Sequence, residues 1–217
     1  PEGQRGIGLA AIILAGGENR RMGRNKAFLV FQGRMFLWMI IEALTPLFDD
    51  IILVTREPWL YQGFPVRVIG DLFAERGPLT GIISGLMATE DPYNFCIACD
   101  MPLVKTAVVQ HMMNRAPDAD AVIPKTQRWS RDEKERPEPL FAVYHRRCRP
   151  IMERHLREGR RSVQEVIRSL NVRYLEESEV ARLDPALHSF WSINTENDYR
   201  MLQAYGREAT GASSQGC

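Results

Sequence analysis

Short apolar runs recur along this chain with room for one helix between each pair: Leu9 to Leu14, Ile51 to Thr55, Val66 to Ile69, Phe95 to Ala98 and Ala121 to Pro124. The stretches between them have the helical period. In Met35 to Phe48, the residues Phe36, Met39, Ile40, Ala43, Leu44 and Leu47 fall at three- and four-residue spacing, one apolar stripe of a helix lying on a sheet. Leu79 to Thr89 and Val104 to Arg115 repeat it. Alternation of this kind implies right-handed crossovers and a mainly parallel sheet covered on both faces. The expected class is therefore α/β, and its ligands are expected outside the carboxyl ends of the strands. Three features fall there: a glycine-rich loop after the first strand, Asp71 after Val68-Ile-Gly70, and Asp100 after Cys96-Ile-Ala-Cys99.

That loop, Leu14-Ala-Gly-Gly-Glu-Asn-Arg-Arg-Met-Gly-Arg-Asn-Lys26, reads as a phosphate cradle. Gly16 and Gly17 carry no Cβ, so backbone N–H groups can approach an anion, and Arg20, Arg21, Arg24 and Lys26 add positive charge. A solvated strand-to-helix turn is the plainer reading, which the clustered cations weigh against. The loop is neither G-x-G-x-x-G nor G-x-x-x-x-G-K-[ST].

With 217 residues, 45% hydrophobic and 25% charged, the chain is large enough for one domain with a proper core. Lys+Arg 28 against Asp+Glu 27 leaves a net charge of +1, which offers no bulk attraction to nucleic acid or a membrane surface. No apolar run approaches a bilayer span and no signal-peptide order is seen, so a cytoplasmic location is expected. Cys96 and Cys99 form a C-x-x-C, but residues three apart on a strand point to opposite faces, so the thiols should diverge. No second cysteine pair completes a zinc site.

Beyond residue 124 the polar stretch 125–139 is expected to be a mobile loop. A strand over Leu140 to Tyr144, helices over Arg149 to Leu156 and Val163 to Leu170, and a strand over Ser189 to Ile193 follow. Thr195 should cap a last helix running to about Tyr205, and 206–217 should be a disordered tail. The expected organisation is one domain over 1–205, with a nucleotide-binding half over about 8–124 and an acceptor-binding half over about 125–205.

Asp100-Met-Pro102 offers a carboxylate suited to holding Mg²⁺ against phosphate oxygens, or equally a cap for the next helix. Asp71 faces the same choice between turn and ligand. Gly77-Pro78 should start a helix on which Gly81 and Gly85 share a face, permitting close approach of a sheet or of a flat ligand group. The histidines at 111, 145, 155 and 188 are scattered, and no nucleophile and base stand together. A reaction run by positioning, metal and charge neutralisation, as in phosphoryl or nucleotidyl transfer, fits better than covalent catalysis.

Leu14-Ala-Gly-Gly17, Arg21-Met-Gly23, Lys26-Ala27, Gly77-Pro-Leu-Thr-Gly81, Cys99-Asp-Met-Pro102, Glu138-Pro-Leu-Phe-Ala142, Gly159-Arg-Arg161 and Ile193-Asn-Thr195 occur in a telling order. It is the order found in molybdenum cofactor guanylyltransferases (the MobA type), which the chain resembles from about residue 9 to 205. The resemblance implies a Rossmann-like three-layer α/β/α nucleotidyltransferase fold with a mainly parallel mixed sheet. It implies that the phosphate of molybdopterin attacks the α-phosphorus of GTP, with Mg²⁺ present and pyrophosphate leaving. By match of motif, Leu14, Ala15, Gly16, Gly17, Lys26, Thr55, Asp71 and Asp100 fall to the nucleotide. Asp100 also falls to the metal, and Arg21, Lys26 and Asp100 to catalysis. Gly77, Gly81, Arg161 and Asn194 fall to the acceptor side. Molybdopterin-delivery and molybdoenzyme-maturation proteins are the partners implied. The chain departs from the family with Asn25 where Asp is frequent, and with Thr55 and Ser192 where Asn is common. CMP transfer to molybdopterin and a non-catalytic nucleotide-binding or cofactor-binding protein are the rivals, with transfer to a sugar phosphate or polyol phosphate, which the motifs at 159–161 and 193–195 argue against, as a third. The first usually carries Leu-Ala-Ala-Gly in the loop, and the second would have allowed Lys26 or Asp100 to be lost.

Overall fold

The structure is a computed structural model that describes residues 9–16, 23–127 and 135–213. Its elements run β1 (Leu9–Leu14), β2 (Val30–Phe31), β3 (Arg34–Met35), α1 (Phe36–Leu44), β4 (Asp50–Thr55), β5 (Arg67–Gly70), α2 (Pro78–Met87), β6 (Tyr93–Ala98), α3 (Thr106–Asn114) and β7 (Ala121–Thr126). They continue with β8 (Arg136–Pro137), β9 (Phe141–His145), α4 (Arg149–Arg157), α5 (Val163–Val166), β10 (Val172–Leu175), α6 (Glu177–Val180) and α7 (Glu196–Ser213). The main sheet has the order β10-β7-β9-β6-β1-β4-β5, with β8 attached to β7. All neighbours are parallel except β9, which runs antiparallel to both β6 and β7, and β8, antiparallel to β7.

Period-two alternation sorts the strands between two cores. Ala11, Ile13, Leu53, Phe95, Ile97, Val122 and Val143 face α1 and α3, where Leu37, Ile40, Leu44, Val108 and Met112 are buried. Ala10, Ile12, Val54, Cys96, Ile123 and Tyr144 face α2, α4 and α5 through Leu79, Ile83, Met152 and Val166. This is the expected three-layer mixed sheet. Cys96 and Cys99 fall in opposite cores as buried free thiols, so the C-x-x-C spacing makes no paired site. Gly81 and Gly85 serve close packing of α2 on β1: a Cβ on Gly85 would stand 2.5 Å from Ile12 Cγ2, and one on Gly81 would stand 3.1 Å from Leu14 Cδ2.

Several expectations need correction. Ser189 to Ile193 is not a strand: His188–Phe190 forms a 3-10 turn, and beyond it Ile193 N–H donates to Asp100 O at 2.9 Å. Its apolar residues Phe190, Trp191 and Ile193 are instead buried in two core clusters. The edge strand β10 was not foreseen, being four residues long with Arg173 within it. The stretch 125–139 is ordered at both ends, where Lys125 and Thr126 pair with Pro137 and Arg136. Its Arg128 and Trp129 lie outside the described residues. The last helix runs past Tyr205 to Ser213 instead of giving way to a disordered tail at 206. It is fastened to the β2–β3 hairpin, since Tyr199 Oη and Gln203 Nε2 donate to Val30 O and Gln32 Nε2 donates to Gly206 O. Residues 214–217 are outside the description.

Candidate active site

The strand ends continue their ladder for a residue or two, which fixes the site backbone. Cys99 N–H donates to Leu14 O at 3.0 Å, Ala15 N–H to Val54 O at 2.9 Å, and Asp71 N–H to Thr55 O at 2.9 Å. Thr55, almost fully buried, donates its hydroxyl to Ala15 O at 3.3 Å. Around these ends opens a cavity of about 560 Å³, a size suited to a small ligand. Leu14, Ala15, Gly16, Lys26, Thr55, Asp71 and Asp100 all line it, so every described residue assigned to the nucleotide is brought together. Gly17 and Arg21 lie outside the described residues.

Lys26 is presented by a 3-10 turn, Lys26–Phe28, that Asn25 caps with its Oδ1 on Ala27 N–H at 3.1 Å. Asn25 Nδ2 also donates to the buried Tyr61 hydroxyl at 2.8 Å. Burial pushes that phenol up to about 12, so it stays neutral. The neutral amide that replaces a frequent aspartate thus acts as a strut beneath the lysine. From this turn Lys26 Nζ reaches Asp100 Oδ2 at 2.9 Å and Asn194 Oδ1 at 2.7 Å. Asn194 is held in turn: its Nδ2 donates to Ser192 Oγ at 2.8 Å, and Asp198 Oδ2 accepts from the N–H groups of Asn194 and Thr195. Thr195 Oγ1 accepts from Asp198 N–H at 3.1 Å, completing a reciprocal cap at the start of α7. Asp100 Oδ1 is buried and has no hydrogen-bond partner among the described residues.

Asp71 divides its carboxylate among Thr80 Oγ1 at 2.8 Å, Ser84 Oγ at 3.1 Å and Phe73 N–H at 3.2 Å. It therefore ties the β5–α2 connection to α2 while facing the cavity. Gly77, at φ 145°, takes a conformation that favours glycine, and Pro78 follows as the first helical residue.

A second cavity of about 680 Å³ adjoins the first, and Pro78, Asp100, Leu140 and Asn194 line both. Arg161 and Ser192 belong to the second. Arg161 follows a Schellman end of α4, in which Gly159 N–H donates to Leu156 O and Arg160 N–H to His155 O. Gly77 and Gly81 line the first cavity and not the second. Of the residues that line the cavities, sequence reasoning gives no role to Arg76 in the first or to Glu138, Gln164 and Trp191 in the second, and it marks Asn25 only as a departure from the family. Only Glu138 carried a signal, as a carboxylate entering an apolar strand.

Glu138 is half-buried, and burial, with the charge of Asp100 adding to it, pushes its carboxyl up to about 7. The unfolded chain gives up this proton near 4.5, so the folded state binds it more tightly between the two values. Stability carried by Glu138 is therefore present at low pH and lost as pH rises through the folded value. Glu138→Gln is expected to flatten that decline and to raise the urea midpoint at pH 8 but not at pH 4. Parallel curves for the two proteins would show that the carboxyl titrates normally.

A cationic side chain and a strand-end carboxylate, one of whose oxygens has no partner among the described residues, set between two adjoining cavities, make a site for phosphoryl-group chemistry between two ligands. The chain belongs to the MobA-like NTP transferase family: the profile of that domain matches residues 11–175. It is 39% identical over 198 residues to the molybdenum cofactor guanylyltransferase of Desulfosudis oleivorans, covering 90% of this chain and 95% of that protein. It is 33% identical to the molybdenum cofactor guanylyltransferase of Syntrophotalea carbinolica, with 91% of each covered. Among solved structures, molybdopterin-guanine dinucleotide biosynthesis protein A of Archaeoglobus fulgidus superposes with a TM-score of 0.79 at 27% identity, covering 92% of this chain and 99% of that one. A cytidylyltransferase of Thermus thermophilus shares the fold at a TM-score of 0.66 and 16% identity, covering 93% of this chain and 100% of that one. Among the described residues no helix is long and apolar enough to cross a membrane.

Proposed function

We propose that the chain transfers GMP from GTP to the terminal phosphate of molybdopterin, releasing pyrophosphate and forming the guanine dinucleotide. The observation that carries this reading is the pair of cavities meeting at Asp100 and Asn194, with Lys26 bonded to both. A donor in the first and an acceptor in the second would meet where positive charge is fixed. The names of the relatives point to the same reaction, and Gly16-Gly17 in the loop favours guanine over cytosine.

Asp100 suits a magnesium ion. Its Oδ1 is buried without a partner among the described residues, and one carboxylate plus ligand phosphates is a common way to hold this ion. Among the described residues no group of three or more acidic, histidine or cysteine side chains competes for a metal. When bound, the ion supplies Lewis-acid polarisation of phosphoryl oxygens and neutralises their charge. The protein's own part is positional and electrostatic. Backbone from Leu14 to Gly16 cradles the nucleotide, while Arg161 at the mouth of the second cavity and Asn194 at the junction orient the acceptor phosphate. A phosphate oxygen of the acceptor then bonds to the α-phosphorus as the bond from that phosphorus to the bridging α,β oxygen breaks. The electron pair leaves on pyrophosphate, beside the Lys26 ammonium.

Pyrophosphate release from GTP and CTP, with molybdopterin present or absent, tests the reading. Release with GTP that requires the acceptor is expected. Release with CTP instead would assign cytidylyl transfer, and GTP binding with no release would assign a binding role.

A further inference from the structure

We infer that Arg56 is a positioning residue of the nucleotide site, whose guanidinium holds the segment from Asp71 to Gly77 in place as one wall of the first cavity. Arg56 follows Thr55 at the end of β4 and turns toward the neighbouring strand end. Its Nη1 donates to Glu75 O at 3.0 Å, and its Nη2 to Phe73 O at 3.3 Å and Ala74 O at 3.2 Å. Three successive carbonyls are thus gripped by one planar fork, a geometry that a lysine ammonium, a compact point donor, does not reproduce.

The segment's other hydrogen bonds between described residues sit toward its two ends, and Arg76, at the second, has an interaction of its own. Leu72 N–H donates to Ser84 Oγ and Phe73 N–H to Asp71 Oδ1, while Gly77 O accepts from Thr80 Oγ1. Apolar burial in the middle is slight: Phe73 touches the margin of a core, whereas Leu72 is 61% exposed and Ala74 is exposed. Surface segments with so few apolar contacts open locally at small cost, so the polar grip decides their position. Asp71, Arg76 and Gly77 from this segment line the first cavity, and none of 71–77 lines the second. Loosening the segment lowers the fraction of molecules with a formed nucleotide wall, and apparent affinity falls by that fraction. The acceptor side is left as it was.

The inference rests on the first cavity being the GTP site, and the test separates the two claims. GTP affinity by calorimetry, KM for GTP and for molybdopterin, and amide hydrogen exchange are compared in wild type, Arg56→Ala and Arg56→Lys. Arg56→Ala is expected to weaken GTP binding about tenfold or more and to speed exchange over 71–77, with Arg56→Lys between it and wild type. The KM for molybdopterin and kcat at saturating GTP should stay within about twofold, whereas a merely structural loss would lower the active fraction and leave KM unchanged. Unchanged GTP affinity and exchange, or equal weakening of GTP and acceptor, would overturn the inference. If Arg56→Ala does not fold, Arg56→Lys decides by the same criteria. A wild type that binds GTP but transfers nothing would sink only the transfer reading, and one that binds no GTP would sink both.

Discussion

Asp100→Ala is expected to lower Mg²⁺-dependent turnover by about 10³-fold or more while leaving the fold intact. The magnitude follows from losing a metal contribution of several kcal/mol at about 1.4 kcal/mol per factor of ten. The fold should survive because the substitution keeps the main-chain bond from Ile193 N–H to Asp100 O at 2.9 Å, which carries the segment bearing Asn194. Of the two carboxylate oxygens removed, Oδ1 has no partner among the described residues, and the bond that Oδ2 accepts from Lys26 is lost while the lysine keeps its bond to Asn194. Steady-state turnover across a Mg²⁺ titration, with thermal melting as control, checks it. Full activity with an ordinary metal dependence would show that the cation is held elsewhere.

Lys26→Ala should be nearly as severe, and for a second reason as well. The ammonium links Asp100 at 2.9 Å to Asn194 at 2.7 Å, so its loss removes charge from the phosphates and unties two of the four residues that line both cavities. GTP binding is expected to weaken by about 1.5–3 kcal/mol, the range for a hydrogen bond to a charged group. Turnover at saturating GTP should fall by about 10²–10³, as when a donor to developing charge is deleted elsewhere. Calorimetric affinity together with kcat reads both terms. Weaker binding at unchanged kcat would restrict Lys26 to ground-state binding.

The architecture was legible where burial is two-sided. β1 was read to the residue and α2 within two residues at either end, because continuous apolar strands and helical stripes leave few other solutions. The reading failed where tertiary contacts override local pattern. The apolar run of Phe190, Trp191 and Ile193 reads as a strand but is buried from a turn and the irregular stretch after it, and α7 outlasts its apparent end because Leu202 and Gly206 pack against the β2–β3 hairpin. Of the site, glycines and strand-end carboxylates announce themselves by position, which is why the sequence alone puts forward Asp71 and Asp100, both of which line the first cavity. Arg56 acts through backbone carbonyls seventeen or more residues away, and Asn25 through the hydroxyl of Tyr61. Neither partnership has a spacing that a linear sequence displays.

The most direct test of the central claim is the fate of labelled phosphorus in a single turnover with molybdopterin. With GTP labelled at the α-phosphate, label should pass to the acceptor, and with GTP labelled at the γ-phosphate it should leave as pyrophosphate. Label from the γ-phosphate on the acceptor, or from the α-phosphate in free GMP alone, would contradict guanylyl transfer at the junction of Lys26, Asp100 and Asn194.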